Sequence, residues 1–561
     1  MTRPDRGISA MAARLAACFA AAACLSCADR VASGGDATET GNARVTGVVR
    51  DSSGAGVGGA VVEILPSDFD PLAGTGVPDS LVDTTDASGR YRFTRLADGD
   101  YNVLARHDAA RTRLSVWGVS LGGDSVVVPD DTLRLPGRLI VPIPETPDSG
   151  AAWIYIPGST FRARIDSETR LAGSIVLDSV PAGAVPRVEY AKTAEAAPVV
   201  VARQVDVREA AAARIDAYAT WPHSRKLLLN TAAGPGALTS GLGGFPLLVR
   251  LSSPSFDFSQ AAPDGSDLRF SSEDGSPLAR EIEAWDAAAG RAAIWVRLDT
   301  LPAGRADHSI SMHWGASPAA GPLRPRAVFD TSAGFAAAWH LSEAPDTGAA
   351  GVYRDATGAG SDADDHSADL SREGVIGSGR GIDSAGYLLA PKPSAGLGLT
   401  KAFSLSVWFK ADAAKLGNFT GDMLSIGDNF GIRVMGDTLL HVWYWPLVPP
   451  SGAKTDWYYL TAKPPAPLGG EWHLAMGVFD GAALRLYCDG REIGIAAAAD
   501  LVGLQFPLNA TLGKHGNGKR GYEYAGLLDE AVVHSRARSA EWARLSYENQ
   551  KPGSGFPAFG P

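Results

Sequence analysis

The chain has 561 residues, enough for three or four domains that each bury a core of their own. Its 45% hydrophobic and 20% charged residues are the balance of a folded protein, while 65 Gly and 36 Pro favour strands and turns over helices. A net charge of −11, without a dense Lys/Arg cluster, argues against nucleic acid or an anionic membrane surface as a partner.

Residues 1–27 have the pattern of a secretory signal, in which three Arg precede the apolar run LAACFAAAACLSC. The run is too short to span a membrane. Its end, CLSC, resembles the lipobox of bacterial lipoproteins, in which Cys becomes the lipidated first residue of the mature chain. The resemblance implies lipid attachment at Cys27, with Cys24 as the alternative. We therefore expect an exported protein, lipid-anchored to the outer membrane or cell surface, or otherwise secreted.

The chain after this signal differs in charge and in cysteine content. Without the signal's three Arg and one Asp, 48 basic and 61 acidic residues give a net charge of about −13. Cys488 is then left without a disulfide partner, and no base stands near it in sequence, so we predict a buried strand thiol rather than a nucleophile. Residues 28–43 show no apolar periodicity and are interpreted as a flexible tether.

Residues 44–135 begin with RVTGVVRDSSGAGVGGAVVEILPSD, in which a Gly-rich turn separates two apolar runs. The stretch DASGRYRFTRLADGDYNVLAR then adds two more predicted strands around a tight turn. Together they resemble the carboxypeptidase regulatory-like, transthyretin-type sandwich at Val45, Gly47, Val49, Gly59, Ala60, Val62, Asp86, Gly89, Tyr91, Phe93, Leu96, Gly99 and Tyr101. The resemblance implies a β-sandwich whose aromatic residues are core and whose role is that of a structural spacer.

Residues 136–221 repeat this order of strands more weakly. The stretch SVPAGAVPRVEY stands where RLADGDYNVLAR stood in the first module. Gly99 and Gly183 occupy the matched turns, where freedom to adopt positive φ is useful. We predict a second β-sandwich of similar kind.

Residues 222–326 contain many short predicted strands, among them FPLLVRL, AREIEAW and AAIWVRL, separated by turns such as PDGSD and LPAG. Their order resembles a bacterial domain of unknown function that commonly precedes lectin-like modules; the likeness is carried by Phe245, Pro246, Val249, Leu268, Phe270, Trp285, Trp295, Val296, Trp314 and Gly315. Acidic Asp264, Asp267, Glu281 and Glu283 raise paired-carboxylate catalysis as one interpretation. Strand alternation instead places Glu281 and Glu283 together on a solvent face.

Residues 327–550 resemble the laminin-G-like, concanavalin A-like jelly roll along their whole length. The motif residues are Trp472, His473, Phe479, Asp480, Gly481, Leu486, Tyr487, Asp489, Gly490, Gly526, Asp529, Glu530, Ala537, Arg538, Ser539, Trp542 and Tyr547. The two Asp-Gly pairs predict tight turns between strands, so they specify fold rather than chemistry. Asp529 and Glu530 are expected to fix a strand end by hydrogen bonds, with an acid pair as the alternative. Residues 551–561 are left as a C-terminal tail.

Two features of this last domain suggest ligands. The loop RDATGAGSDADD offers Asp355, Asp362, Asp364 and Asp365, oxygen donors that suit Ca²⁺, which some members of the resembled family bind. The spacing matches no EF-hand, and a merely solvated acidic loop is the alternative, so we expect no cofactor and leave Ca²⁺ open. Six aromatic residues also crowd one predicted hairpin between Leu439 and Leu460.

In that hairpin alternation places Trp443 and Trp445 on one strand face and Tyr444 on the other. One set should be core, and the other should meet a ligand or a neighbouring segment. Sugar rings stack on flat aromatic faces, so we predict that Trp443, Trp445, Trp457 and Tyr459 form a carbohydrate-binding surface. Packing of these rings inside the protein is the alternative.

Several motifs of enzymes are missing from the sequence: a nucleophile elbow, HExxH, a P-loop, GxGxxG after a strand, and zinc-spaced cysteines. We predict no catalytic residues. The sequence thus predicts an all-β, multidomain protein of β-sandwiches ending in a concanavalin A-like jelly roll that binds polysaccharide or another surface glycan. A structural or adhesive surface protein that contacts proteins and a glycan-active hydrolase are the alternatives. The oligomeric state is left open.

Overall fold

The computed structural model describes residues 44–560, apart from 75, 144–151, 173, 194–195, 317–324, 392–396, 398, 400–401, 416–419, 446–457 and 499–508. Strands take 48% of the structure and helices 6%, which confirms the predicted all-β fold. Cys27 and Trp457 lie outside the described residues. No helix in the described ranges is long and apolar enough to cross a lipid bilayer.

The first sandwich consists of strands β1 (Val45–Arg50), β2 (Val61–Pro66), β3 (Val82–Thr84), β4 (Arg90–Phe93), β5 (Gly99–His107), β6 (Thr112–Leu121), β7 (Val126–Val127) and β8 (Asp131–Thr132). One sheet has the order β4-β1-β7, with β8 also on β1, and the other has the order β3-β2-β5-β6. The residues of β1 alternate between buried and half-buried, as expected for a strand with one face on a core. Tyr91, Phe93, Leu96 and Tyr101 are core residues, as the resemblance implied.

The second sandwich has a separate core. Its elements are β9 (Gly137–Pro142), β10 (Ala152–Tyr155), β11 (Arg162–Ile165), the short helix α1 (Ser167–Ala172), β12 (Ser174–Val180), β13 (Gly183–Ala191), β14 (Val199–Val207) and β15 (Ala212–Arg214). A β11-β10-β13-β14 sheet faces a β12-β9-β15 sheet. Ile154, Leu177 and Val188 lie between the two sheets.

The third unit contains β16 (His223–Leu228), β17 (Leu242–Ser252), β18 (Arg269–Ser271), β19 (Pro277–Leu278), β20 (Arg280–Asp286), β21 (Arg291–Leu301) and β22 (Ser309–Trp314). β17, β21 and β20 form one sheet, and β19, β18, β22 and β16 belong to the other. The C-terminal segment completes this second sheet, because Phe559 pairs antiparallel with Leu227 and Ala558 with Leu228. Residues 558–559, which were predicted to belong to a C-terminal tail, therefore form an edge strand beside β16, about 330 positions earlier in the chain.

The jelly roll contains β23 (Phe335–Trp339), β24 (Asp364–Asp365), β25 (Arg372–Glu373), β26 (Ser378–Ile382), β27 (Leu388–Ala390), β28 (Phe403–Ala411), β29 (Thr420–Ile426), β30 (Phe430–Met435), β31 (Leu439–Tyr444), β32 (Tyr458–Ala462), β33 (His473–Phe479), β34 (Ala483–Cys488), β35 (Arg491–Ala497), β36 (Ala510–Leu512) and β37 (Gly526–His534). Helix α2 (Ala540–Gln550) and β38 (Ala558–Phe559) follow. An eight-stranded sheet runs β25-β26-β37-β28-β33-β34-β35, with β23 also on β37. A seven-stranded sheet runs β24-β27-β36-β29-β30-β31-β32.

The turn between β34 and β35 forms as its sequence predicts. Asp489 and Gly490 both have positive φ, 50° and 74°, the combination that a two-residue type I′ hairpin requires. The preceding residue, Cys488, is a free and fully buried thiol, as predicted. Burial raises the pKa of this thiol well above its ordinary value, and the neighbouring Asp489 carboxylate adds to the effect. The thiol therefore lacks the thiolate character that a nucleophile needs.

The third unit and the jelly roll share a continuous hydrophobic core. One cluster of buried side chains runs from Leu227 through β17 and β21 to α2 and Phe556. Phe245 meets Trp542 of α2 edge to face at 5.1 Å. Asn549 accepts a hydrogen bond from Leu248 N at 2.8 Å and donates to the carbonyls of Leu248 and Phe556, each at 3.0 Å. Separating the two domains would expose this apolar surface to water.

Candidate binding face of the jelly roll

The seven-stranded sheet has one face in the core and one turned away from it. Along β30 and β31 the core-facing residues are Phe430, Ile432, Val434, Leu440, Val442 and Tyr444. Because successive side chains alternate, Arg433, His441 and Trp443 project from the opposite face. This second face, together with the residues that follow β31 and β36, is called the outer face below. Polar and aromatic side chains lie next to one another on this face.

Trp443 lies flat against the backbone of β30. Its cross-strand partner is Gly431, and a Cβ at position 431 would stand only 2.2 Å from the indole ring. The guanidinium of Arg433 stacks on the indole at 3.8 Å and on the ring of Tyr522 at 4.4 Å. Trp443 is only 2% exposed. The prediction that Trp443 contacts a glycan is therefore wrong, because glycine on the neighbouring strand lets the indole pack inside the fold.

Behind Trp443 a network of charges joins β29, β30 and the segment after β36. Arg433 Nε lies 2.7 Å from Asp422 Oδ1, and His515 Nδ1 lies 2.6 Å from Asp422 Oδ2. The other ring nitrogen of His515 lies 2.5 Å from Asp428 Oδ1. Burial opposes protonation of His515, but its hydrogen bonds to Asp422 and Asp428 raise its pKa above the ordinary value. Each ring nitrogen of His515 thus faces a carboxylate oxygen, an arrangement that favours the protonated ring.

His441 occupies the adjacent position toward β32. Its Nδ1 lies 2.8 Å from Thr461 Oγ1, and its ring stacks on Tyr459 with centroids 5.5 Å apart. Burial, followed by the charge of Arg433, lowers the pKa of His441 to about 4. The imidazole is therefore neutral at pH 7, and it contacts Tyr459 by ring stacking and not as a charged group.

Two aromatic side chains of this face remain exposed. Trp445 is 42% and Tyr459 55% exposed, and in the described ranges no other Trp, Tyr or Phe is among the exposed large hydrophobic residues. The backbone N–H of Trp445 donates to the backbone carbonyl of Asn429 at 2.6 Å, while the side-chain amide of Asn429 donates from Nδ2 to the backbone carbonyl of Trp445 at 2.7 Å. Asn429 thereby holds the backbone on both sides of an exposed indole. Tyr459 stands opposite Trp443 in register, so it shares the outer face.

The acidic loop proposed for Ca²⁺ is built differently from a cation site. Asp355 accepts from the N–H groups of Thr357 and Ser361, and Asp364 from that of Gly351. Asp362 and Asp365 form ion pairs with arginines, Arg354 and Arg380, at 2.6 and 2.9 Å. The four carboxylates are thus engaged with the protein, and they do not converge on one point as Ca²⁺ ligands must. They do not fit a Ca²⁺ site.

The two glutamates of β20 do not share a solvent face. The side chain of Glu283 is only 1% exposed, because His340 of the jelly roll covers it. A bulge between Ile282 and Ala284 leaves Glu283 as the extra residue of the strand, which simple alternation does not foresee. Of the pair expected to fix a strand end, Asp529 makes such bonds, since its Oδ2 accepts the N–H groups of Val375 and Ile376, whereas Glu530 Oε1 lies 2.8 Å from His340 Nδ1.

The residues that sequence reasoning missed are Asp422, Arg433 and His515. They stand on β29, on β30 and after β36, and no motif or spacing links them. Only the Trp-rich hairpin marked the region in the sequence. Pairing of β29 with both β30 and β36 brings the three side chains together.

Three family models match parts of the chain. The Concanavalin A-like lectin/glucanases superfamily model matches residues 383–544, the Carboxypeptidase regulatory-like domain 44–131, and the Domain of unknown function DUF2341 264–341. These domains are of binding or regulatory type, and no catalytic family is among them. No curated protein sequence matches the chain.

Solved structures are similar only remotely. The receptor binding domain of botulinum neurotoxin mosaic serotype C/D has a TM-score of 0.30 at 10% identity, covering 39% of this chain and 51% of its own. The binding domain of Paraclostridial Mosquitocidal Protein 1 has a TM-score of 0.30 at 12% identity, covering 37% and 52%. Domain 4 of AbnA, an extracellular arabinanase from Geobacillus stearothermophilus in complex with arabinotriose, has a TM-score of 0.28 at 18% identity, covering 38% and 97%. The chain spans about half the length of the two toxin domains it matches.

Proposed function

We propose that the chain is a cell-surface lipoprotein whose C-terminal jelly roll binds a polysaccharide or another surface glycan. The observation that carries the proposal is the exposure of Trp445 and Tyr459 on the outer face of one sheet edge. Exposed aromatic rings are costly to leave in water, and their flat apolar faces match the C–H faces of sugar rings. The two sandwiches nearer the N-terminus act as a stalk.

Polar groups stand near the backbone of Trp445. Asp428 precedes the Asn429 that holds Trp445, and its Oδ2 accepts from Asn517 Nδ2 at 2.8 Å. The Asp428 side chain is one-third exposed, so it offers acceptors to sugar hydroxyl groups. A surface carboxylate on a chain whose net charge without the signal is about −13 repels anionic polymers, which favours a neutral glycan.

The remaining alternatives find less support on this face. A hydrolase needs two carboxylates that reach the scissile bond, whereas Asp422 is fully buried beneath Arg433. A role in contacting proteins would use the same exposed rings. The binding experiment below therefore distinguishes it from glycan binding.

We expect the chain from residue 28 to 561 to be retarded in affinity electrophoresis by at least one neutral polysaccharide. The whole chain is needed because residues 327–550 alone would lack β38 and expose the core shared with the third unit. A panel of neutral and uronic-acid polysaccharides provides the comparison, with bovine serum albumin as the unretarded reference. If no polysaccharide retards the chain, glycan binding is contradicted and protein contact becomes the leading function.

We also propose that Cys27 carries the lipid anchor. The proposal is based on the signal pattern that ends in CLSC, followed by a polar tether. Intact-mass analysis of protein from membranes should show a chain that begins at Cys27 with an added diacylglycerol. Cys27→Ser should abolish the added mass, whereas Cys24→Ser should leave it. An unmodified chain that begins elsewhere would instead indicate a secreted protein.

A further inference from the structure

A buried cluster of ionisable side chains joins the third unit to the jelly roll. Glu283 comes from β20, His340 follows β23, and Glu530 lies on β37. His340 Nδ1 stands 2.8 Å from Glu530 Oε1 and 3.6 Å from Glu283 Oε2. One ligand-type atom of each residue lies within 4.8 Å of the other two. Ligand atoms of one first-row metal ion lie about 3 to 4 Å apart, so the three side chains converge closely enough to share an ion, which would replace the hydrogen bond between His340 Nδ1 and Glu530 Oε1.

The negative charge of the cluster is poorly compensated by protein groups. Asp529 adds a further buried carboxylate next to Glu530. In the described ranges no Lys or Arg forms an ion pair with Glu283, Asp529 or Glu530. The nearby Arg250 donates instead to the backbone carbonyls of residues 375, 549 and 550. Apart from the imidazole of His340, the described ranges offer these carboxylates no ion-pair partner, and buried charges without one are costly, so a bound cation would stabilise the cluster.

One buried carboxylate oxygen of the cluster, Glu283 Oε1, has no hydrogen-bond partner among the described residues, and its side chain is 1% exposed. Native proteins rarely leave such an atom without a partner, and an ion or its bound water is one way to satisfy it. His340 Nε2 lies on the other side of the ring and faces Glu281 Oε1 at 3.8 Å. Trp295 Nε1 donates to Glu283 Oε2 at 2.7 Å and holds this carboxylate in place.

We propose that Glu283, His340 and Glu530 bind one divalent first-row metal ion, of the Zn²⁺ or Mn²⁺ class, that ties the third unit to the jelly roll. Imidazole nitrogen with carboxylate oxygens suits these ions better than it suits Ca²⁺, which takes oxygen ligands. Three protein ligands leave coordination positions for water. The metal is structural, because the site lies at the domain interface and away from the outer face.

The experiment measures metal content and thermal stability of the chain from residue 28 to 561. Protein purified without chelator should contain about one equivalent of metal by mass spectrometry of the elements. Dialysis against EDTA should lower the melting temperature, and Zn²⁺ or Mn²⁺ alone should restore it. Wild-type protein that is metal-free and whose melting does not respond to either ion would overturn the proposal. The cluster would then be balanced by protons shared among its carboxyl groups.

Substitutions separate a metal ligand from an ordinary interface residue. His340→Gln and Glu530→Gln should each weaken metal affinity at least about 10-fold, the loss seen even for supporting residues of metal sites. Glu541→Gln is the matched control, because Glu541 also joins the two domains, by hydrogen bonds to Thr239 and Ser240, but lies outside the cluster. Unchanged metal binding in both ligand variants would contradict the proposal. If neither variant folds, the wild-type metal content and EDTA response still decide it.

Discussion

Replacing Arg380 by Met is expected to lower the free energy of unfolding of the jelly roll by about 3 to 5 kcal/mol. Arg380 and Asp365 form an ion pair in which both side chains are 0% exposed. Arg380 Nη2 reaches Asp365 Oδ1 at 2.9 Å and Oδ2 at 3.1 Å, and it also donates to Ser367 O at 2.6 Å. Removal of the guanidinium leaves a buried carboxylate without its counter-charge, which is why the effect should be large.

The measurement is chemical denaturation of the chain followed by tryptophan fluorescence, with the jelly-roll transition treated separately because several domains unfold. Arg372→Met is the matched control, since Arg372 pairs with Asp369 at 3.0 Å but is 52% exposed. That variant should change stability by no more than about 1 kcal/mol. The double variant Arg380→Met, Asp365→Leu should recover part of the loss. Equal, small losses in both single variants would contradict the account of the buried pair.

Local sequence patterns predicted those parts of the fold that depend on neighbouring residues. The pair Asp489-Gly490 forms its hairpin because the positive φ values it needs are properties of those two residues. The core positions of the first sandwich, such as Tyr91 and Phe93, were implied by the family resemblance, and both side chains are buried there. Motif positions of this kind follow the alternation of a strand, in which Tyr91 and Phe93 are buried and Arg90 and Arg92 are exposed.

Sequence patterns did not predict the features that depend on which segment packs over a strand face. Alternation placed Glu281 and Glu283 on one face, but it gave no sign that the jelly roll would lie over it. The pairing of Phe559 with Leu227 is equally nonlocal, since a two-residue strand has no pattern of its own. At the outer face, Asp422, Arg433 and His515 meet through strand order, which the sequence does not state.

Trp443 shows the same limit within a single hairpin. Alternation predicted that it shares a strand face with Trp445, but β31 ends at Tyr444, and the two side chains are 2% and 42% exposed. Gly431 on the neighbouring strand and Arg433 above the ring bury the first indole. Trp445 comes after the end of β31, so it has no cross-strand partner in the pairing of β30 with β31. Substitution of each ring should therefore have a different consequence.

Trp443→Ala is expected to lower the free energy of unfolding by about 3 to 5 kcal/mol, as for other large core side chains. The loss combines a cavity over Gly431 with the loss of the stacking partner of Arg433. Trp445→Ala and Tyr459→Ala should change stability by no more than about 0.5 kcal/mol, because both side chains are exposed. If glycan binding operates through these rings, each of the two variants should weaken it by about 1 to 2 kcal/mol, roughly 5- to 30-fold in Kd.

Thermal melting and titration with the polysaccharide that retards the wild-type chain are the two measurements. Ile495→Ala is the control for a change at an exposed position, since Ile495 is 52% exposed on the other sheet of the jelly roll, and it should alter neither quantity. Tyr459→Phe keeps the ring and should retain most of the affinity. If Trp445→Ala and Tyr459→Ala bind the polysaccharide as tightly as wild type, the exposed rings are not the binding surface. If they melt early like Trp443→Ala, the rings stabilise the hairpin instead, and the ligand must bind elsewhere on the chain.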